Sequence, residues 1–317
     1  MNRSLPYLAI VLASCGLLAG CEKESPLSVS GEKGTMKLNK VVLDVNPLFS
    51  FGSFGSGDGQ FKLPTEVDVD SDRIYVTDFE NHRIQVFDWE GNFLFTFGSF
   101  GSDDGQFNFP DGIAVDDSRI TVAEFSGHRI QVFDKSGNFL SKFGSVGSGD
   151  GQFNGPVSVA VKGNRIVVGD FFNNRVQVFD AHGNFLFRFG GLGSGNGQFN
   201  GVAGVAVQGN RIIVSDFRNH RIQVFDQDGN FLFKFGSLGS GDGQLNGPDE
   251  IAMEGNLIIV TEFLGGRVLV FNRDGTFLFK FGGFGPDGVA VEGNQIFVCD
   301  LTNHAIRIYR IQPGIWG

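Results

Sequence analysis

From Glu66 to Gly98, apolar and polar residues alternate in four short runs: Glu66–Asp70 (EVDVD), Arg73–Asp78 (RIYVTD), Arg83–Asp88 (RIQVFD) and Asn92–Gly98 (NFLFTFG). Val, Ile and Phe at every second position predict strands, and the turn formers Ser71-Asp72, Glu80-Asn81 and Glu90-Gly91 separate them. No stretch shows a convincing helical period. The block around the third run then returns along the chain, at Asp78–Asp88 (DFENHRIQVFD), Glu124–Asp134, Asp170–Asp180, Asp216–Asp226, Glu262–Asn272 and Asp300–Arg310. Successive copies begin 46, 46, 46, 46 and 38 residues apart. A fixed period of this size marks a repeat architecture. Four short antiparallel strands per repeat, arranged radially, predict a β-propeller blade.

The fourth run places Phe93, Phe95 and Phe97 on one face, and FLSKF (139–143), FLFRF (185–189), FLFKF (231–235) and FLFKF (277–281) repeat the theme. Each fully buried Phe contributes about 1.5–3 kcal/mol. A single blade cannot bury such a face, so neighbouring blades must stack. Glycine-rich links join the repeats at 56–61, 102–107, 148–153, 194–199 and 240–245; the link is missing before the last repeat, where 282–288 reads GGFGPDG, and this explains the 38-residue interval. The last repeat has three strands, at 288–292, 295–300 and 305–310, while Pro47–Gly52 (PLFSFG) matches an isolated fourth strand. The expected fold is therefore all-β: a six-bladed propeller whose last blade is completed by the N-terminal strand, leaving no open edge to invite aggregation.

Composition adds a location. The chain opens MNRSLPYLAIVLASCGLLAGC, with Arg3, an apolar run at 5–18 too short for a comfortable membrane span, and Leu18-Ala19-Gly20-Cys21. This resembles a bacterial lipobox, which implies lipidation of Cys21; an ordinary signal peptide and an uncleaved anchor are the alternatives. The expected organisation is a signal peptide over 1–21, a flexible tether over 22–46 and the propeller over 47–317. The chain is then held by its lipid on a membrane in the cell envelope, facing the periplasm or the exterior. Cys15 leaves with the signal, which leaves Cys299 with no disulfide partner, at a repeat position filled elsewhere by Thr77, Ala123, Gly169, Ser215 and Thr261. It reads as a small buried residue. The net charge of −10 becomes −11 without Arg3 and argues against a nucleic-acid partner.

The repeat resembles the NHL repeat. The likeness runs through Pro110 and Gly112–Val115 (P-x-G-I-A-V), through the N-H-R-I-Q-V-F-D core as in Asn219–Asp226, and through the G-N-F-L-x-x-F-G end, over residues 47–310. The resemblance implies a six-bladed propeller. It implies no single function, because the family includes RNA-binding modules, sensor domains, interaction platforms and a peptide-amidating lyase with a histidine-held zinc.

Against that range the candidate residues sort by whether they repeat. His82, His128, His220 and His304 share one position on different blades, which suits hydrogen bonds in the blade better than a gathered zinc site. The acid–arginine pairs Asp78/Arg83, Glu124/Arg129, Asp170/Arg175, Asp216/Arg221 and Glu262/Arg267 read as structural, and Asp300 has lost its partner to Ala305. The link acids lack the alternating spacing of an EF-hand loop. Two variable sets remain. Glu66, Asp111, Asp249, Glu250 and Asp287 stand where first strands enter the central channel, and are read as an acidic ring suited to calcium or a cationic ligand, or else as solvated turn acids. Phe172, Asn173, Arg218 and Leu264 lie on loops between second and third strands and form the candidate partner surface. No serine elbow, phosphate loop, H-E-x-x-H or C-x-x-C pattern occurs. The expected function is a monomeric binding or scaffold propeller for a protein or small ligand, with no cofactor unless calcium; the alternative is a channel-mouth lyase or calcium-dependent hydrolase.

Overall fold

The computed structural model describes residues 45–311, which form six four-stranded antiparallel sheets. In blade 1 the strands are Pro64–Val69, Arg73–Asp78, Arg83–Asp88 and Phe93–Phe97, hydrogen-bonded in sequence order. Blades 2 to 5 repeat this order over 110–143, 156–190, 202–235 and 248–282. Helix among the described residues is limited to two single 3-10 turns, Phe79–Asn81 and Phe217–Asn219. Cys21 and most of the expected tether lie outside the described residues.

Blade 6 closes the ring. Its strands Pro286–Glu292, Gln295–Asp300 and Ala305–Ile311 are completed by Val45–Phe51, which pairs antiparallel with Ala305–Ile311 from Val45↔Ile311 to Phe51↔Ile306. The closing strand begins two residues before the predicted Pro47 and carries a register shift between Pro47 and Phe49. The register fixes its direction. Phe51 ends beside the turn at 301–304, and Val45 starts at the opposite end of the ring.

The core lies between blades. Val67, Ile74, Val76 and Phe87 of blade 1 pack with Phe297, Cys299, Ile306 and Ile308 of blade 6, and each neighbouring pair of blades repeats this kind of cluster. The link phenylalanine acts as a wedge. Phe107 is fully buried, with its ring centroid 6.3 Å from Phe97 of blade 1 and 5.4 Å from Phe133 of blade 2. Phe61 takes the same place between Phe51, at 6.4 Å, and Phe87, at 5.7 Å, so the closing strand supplies the contact that every other fourth strand supplies. Where the link is shortened, before blade 6, Phe281 and Phe284 pack on Tyr309 at 4.7 and 6.2 Å.

The chain alternates ends as it passes along each blade. First-strand starts, the turns between second and third strands and the interblade links share one face, called here the loop face. The turns between third and fourth strands lie on the other.

Candidate functional site

The channel mouth is built by the starts of the six first strands. After Pro64, Pro110, Pro156, Val202, Pro248 and Pro286 the register against the second strand slips by one, so two successive residues face a single residue of that strand. The second of these alternates around the ring: Glu66, Ser158 and Glu250 on blades 1, 3 and 5, with Gly112, Gly204 and Gly288 on blades 2, 4 and 6. The glycines are required by close approach. A Cβ would come within 2.6 Å of Val157 O at Gly112, 2.4 Å of Asp249 O at Gly204 and 2.5 Å of Thr65 O at Gly288. Backbones pressed together at alternate blades leave the three longer side chains to fill the axis.

They fill it as a hydrogen-bonded group. Ser158 Oγ donates to Glu250 Oε1 at 3.2 Å, Ile251 N donates to the same oxygen at 3.0 Å, and the Glu66 and Glu250 carboxyls bond to each other. Asp249 and Asp287 form a second carboxyl pair. The five carboxyls placed at the mouth by the sequence, Glu66, Asp111, Asp249, Glu250 and Asp287, are all buried, with 6–8% exposure, and are not solvated turn acids. Burial pushes every one of them above the ordinary carboxylate range, Glu250 to about 8. Repulsion from Glu250 raises Glu66 further, and repulsion from Asp249 raises Asp111 and Asp287. Among the described residues none of the five forms an ion pair with Lys, Arg or His. With Glu250 raised to about 8, the Glu66–Glu250 pair holds a proton around neutral pH. A cavity of about 150 Å³ is lined by Glu66, Glu250 and Asp68, and otherwise by aliphatic side chains such as Val115, Val161, Val207 and Met253. Asp68 accepts from Val69 N and Val115 N at 2.8 and 2.7 Å, and burial raises it to about 7. Among the described residues no three His, Cys, Asp or Glu side chains gather as a metal site.

The repeated polar residues have structural partners. Asp216 is fully buried, and Arg221 Nε donates to its Oδ2 at 2.7 Å across the turn. The remaining guanidinium hydrogens go to carbonyls of the incoming link, Ser194, Gly195 and Gln198, at 2.7–2.9 Å. Asp78/Arg83, Glu124/Arg129, Asp170/Arg175 and Glu262/Arg267 do the same in their blades. The motif is thus a clamp that holds each link to its own blade. Each histidine of the shared position has a left-handed backbone, φ 51–56°. Its Nδ1 accepts a backbone N–H from the link to the next blade: His82 from Phe109 at 3.2 Å, His128 from Gly155 at 3.1 Å, His220 from Gly247 at 3.1 Å and His304 from Leu63 at 3.3 Å. Asn174 Oδ1 substitutes at 2.8 Å to Gly201 N. One expectation is corrected. Asp300 has a partner: Arg307 Nε donates to its Oδ2 at 2.5 Å, from the register position that holds Gln85, Gln131, Gln177 and Gln223 in blades 1 to 4.

The four loop residues predicted as a partner surface are partly tied down. Phe172 is half-buried against Phe125 at 5.9 Å, and Arg218 lies over the Phe171 ring at 5.3 Å. Asn173 Nδ2 donates to Gly147 O and Asp170 Oδ2, both at 2.8 Å, and Leu264 is half-buried beside Gly247 and Phe217. The most exposed apolar residues are elsewhere, ahead of Leu94, Leu140, Leu186 and Leu232 of the fourth strands at 45–52%. Phe54, Phe100, Val146, Leu192 and Leu238, one in each full link, are 61–70% exposed. They belong to the loop face, where Phe100 lies 4.8 Å from the His82 ring and Phe54 lies 5.0 Å from His304. Their signal in the sequence is an apolar residue just before a glycine, past the end of the fourth strand and outside its alternation.

Comparison with known proteins agrees with this architecture. Three segments, 61–87, 153–179 and 199–225, match the NHL repeat. A 48-residue stretch is 46% identical to Protein lin-41 of Caenorhabditis elegans, covering 15% of this chain and 4% of that protein. Among solved structures, a streptogramin B lyase superposes over 85% of this chain and 98% of its own with a TM-score of 0.59 and 12% identity. A gluconolactonase from Xanthomonas campestris covers 80% and 88%, with a TM-score of 0.60 and 16% identity. A chain of a nidogen/laminin complex covers 73% and 86%, with a TM-score of 0.57 and 14% identity. At these identities the likeness is one of fold.

Proposed function

We propose that this six-bladed propeller of NHL repeats is a lipid-anchored protein of the cell envelope whose loop face docks another protein. One observation carries the reading: five strongly exposed apolar side chains, Phe54, Phe100, Val146, Leu192 and Leu238, stand on that face at one per link. Exposed apolar residues set in a recurring pattern on one face are a mark of an interaction surface. Their links also carry Asp58 and Asp103, with Asp104, Asp150 and Asp242 paired to Lys142, Arg188 and Lys280, so the partner surface is apolar with a polar surround.

Fractionation and copurification test this together. The intact chain should sediment with membranes, and Cys21→Ser should release it. Triple replacement of Phe100, Leu192 and Leu238 by Ser should leave the protein folded and remove a stoichiometric partner that the wild type retains. A partner retained equally by both would move the docking surface off the loop face. The catalytic alternative would use the buried carboxyls at the channel mouth. Turnover of lactone or streptogramin B substrates, lost in Glu250→Gln, would favour it.

A further inference from the structure

Five buried carboxyls meet at the channel mouth, and their protonation does not satisfy all of them. Buried carboxyl groups must be neutralised, by protons or by a cation, because an isolated charge away from water is very costly. Shared protons account for the pairs Glu66–Glu250 and Asp249–Asp287. A proton on Asp111 neutralises it but leaves one of its oxygens unanswered. Its side chain is 6% exposed, and its Oδ2 has no hydrogen-bond partner. Thr65 Oγ1 donates to the Asp111 carbonyl at 3.3 Å, and Gly112, next in the chain, packs on Ser158, whose hydroxyl meets Glu250, so the orphaned oxygen stands beside the same group although Asp111 does not itself line the cavity. An unanswered buried oxygen among carboxyls is a position for a donor that carries positive charge.

The surroundings say what kind. No three of these groups stand at metal-site spacing among the described residues. An ammonium tolerates a looser set, since N⁺–H···O⁻ bonds run to about 2.9 Å where calcium–oxygen distances are about 2.4 Å. Glu66 and Glu250 also line the channel cavity of about 150 Å³, whose other walls are methyl-bearing side chains of Val, Ile, Ala and Met apart from Asp68. Both oxygens of Asp68 already accept backbone N–H groups. Carboxyl oxygens at one end and aliphatic walls along the rest fit an amphiphilic cation. A cavity of this volume holds several water-sized groups, enough for a short aliphatic stem.

We propose that the channel mouth binds a small organic cation, a primary ammonium on a short aliphatic stem, with the ammonium among Asp111, Glu66 and Glu250 and the stem in the cavity. Asp249, Asp287, Ser158 and Thr65 surround the charge and shift their protons and hydrogen bonds to accommodate it.

The probe is n-butylammonium chloride, titrated into the folded protein and followed by melting temperature and by ligand-observed NMR. Tetramethylammonium, which has no N–H donor, sodium chloride at matched ionic strength and calcium chloride are the other arms. The expected result is a saturable rise in Tm with butylammonium and none with tetramethylammonium or sodium. Binding displaces a carboxyl proton, so affinity should increase by about tenfold per pH unit between pH 6 and pH 8. Asp111→Asn keeps the shape and removes the charge, and should abolish the rise. If that variant does not fold, the pH dependence and the tetramethylammonium arm decide with the wild type alone. No rise, an equal rise with tetramethylammonium or sodium, a pH-independent affinity, or a rise with calcium alone would overturn the proposal.

Discussion

Arg307 donates from Nε to Asp300 Oδ2 at 2.5 Å in the blade where the usual arginine of the turn is Ala305. Asp300 is fully buried, and its equivalents in blades 1 to 5 are each held by the arginine five residues on. Blade 6 keeps the ion pair by moving the cation two residues along the same strand. Removing one partner of a buried pair leaves an uncompensated charge. The Arg307 side chain keeps 34% exposure, which tempers the effect. Arg307→Ala should therefore cost about 2–3 kcal/mol in denaturant unfolding. Restoring the pattern of the other blades, Ala305→Arg with Arg307→Gln, should recover most of it. Unchanged stability of the single variant would show that Asp300 does not depend on this contact.

That substitution also shows where the sequence stops being legible. The repeat period exposes the blades, the clamp and the closing strand, because each recurs or is conspicuously displaced. The partner of Asp300 is hidden because it comes from a position that elsewhere holds Gln. The channel acids can be placed by counting along first strands, but their burial follows from Gly112, Gly204 and Gly288 drawing alternate backbones together, a relation between blades and not along the chain. The exposed link residues are masked by the abundance of Phe and Leu. In a chain with 36 Phe, composition does not distinguish the buried Phe107 from the exposed Phe100 seven residues earlier.

Closure makes the first described strand essential. A chain beginning at Ser53 lacks Phe51, whose ring lies 4.8 Å from Phe87, and leaves the edge of Ala305–Ile311 unpaired. It should self-associate in sedimentation and melt at least about 10 °C below the intact body. A monomer with unchanged melting would mean that the ring is held shut by other contacts.

The channel carboxyls give stability a pH signature. Glu250 rises from 4.5 to about 8 on folding, mainly through burial. The folded state then binds more protons than the unfolded one, so this contribution is complete below about 4.5 and is lost as pH rises through about 8. His82, His128 and His220 act in the opposite sense: burial lowers their pKa, so stability falls as pH drops below about 6.5, where the unfolded chain takes up protons that the folded chain excludes. Comparison with Glu250→Gln isolates the carboxyl. The variant should gain on the wild type steadily in melting temperature between pH 5 and about pH 8 and level off above it. A difference independent of pH would contradict the shared-proton mouth.

The interblade histidine combines a left-handed backbone with an acceptor. His128→Asn should be nearly neutral, since Asn174 performs both tasks in the next blade. His128→Ala strains the backbone and leaves Gly155 N unanswered, at a cost of about 1–3 kcal/mol. Equal stability of the two variants in urea unfolding would remove the hydrogen bond from the account.

The loop-face docking surface is tested most directly by site-specific photocrosslinking in native membranes. A photoreactive residue at Leu192 is compared with one at His182, which is exposed in a turn on the opposite face. The account predicts a discrete protein adduct from position 192, lost when Phe100 and Leu238 become Ser, and none from position 182. Identical adducts from both positions, or an adduct from position 182 alone, would contradict it.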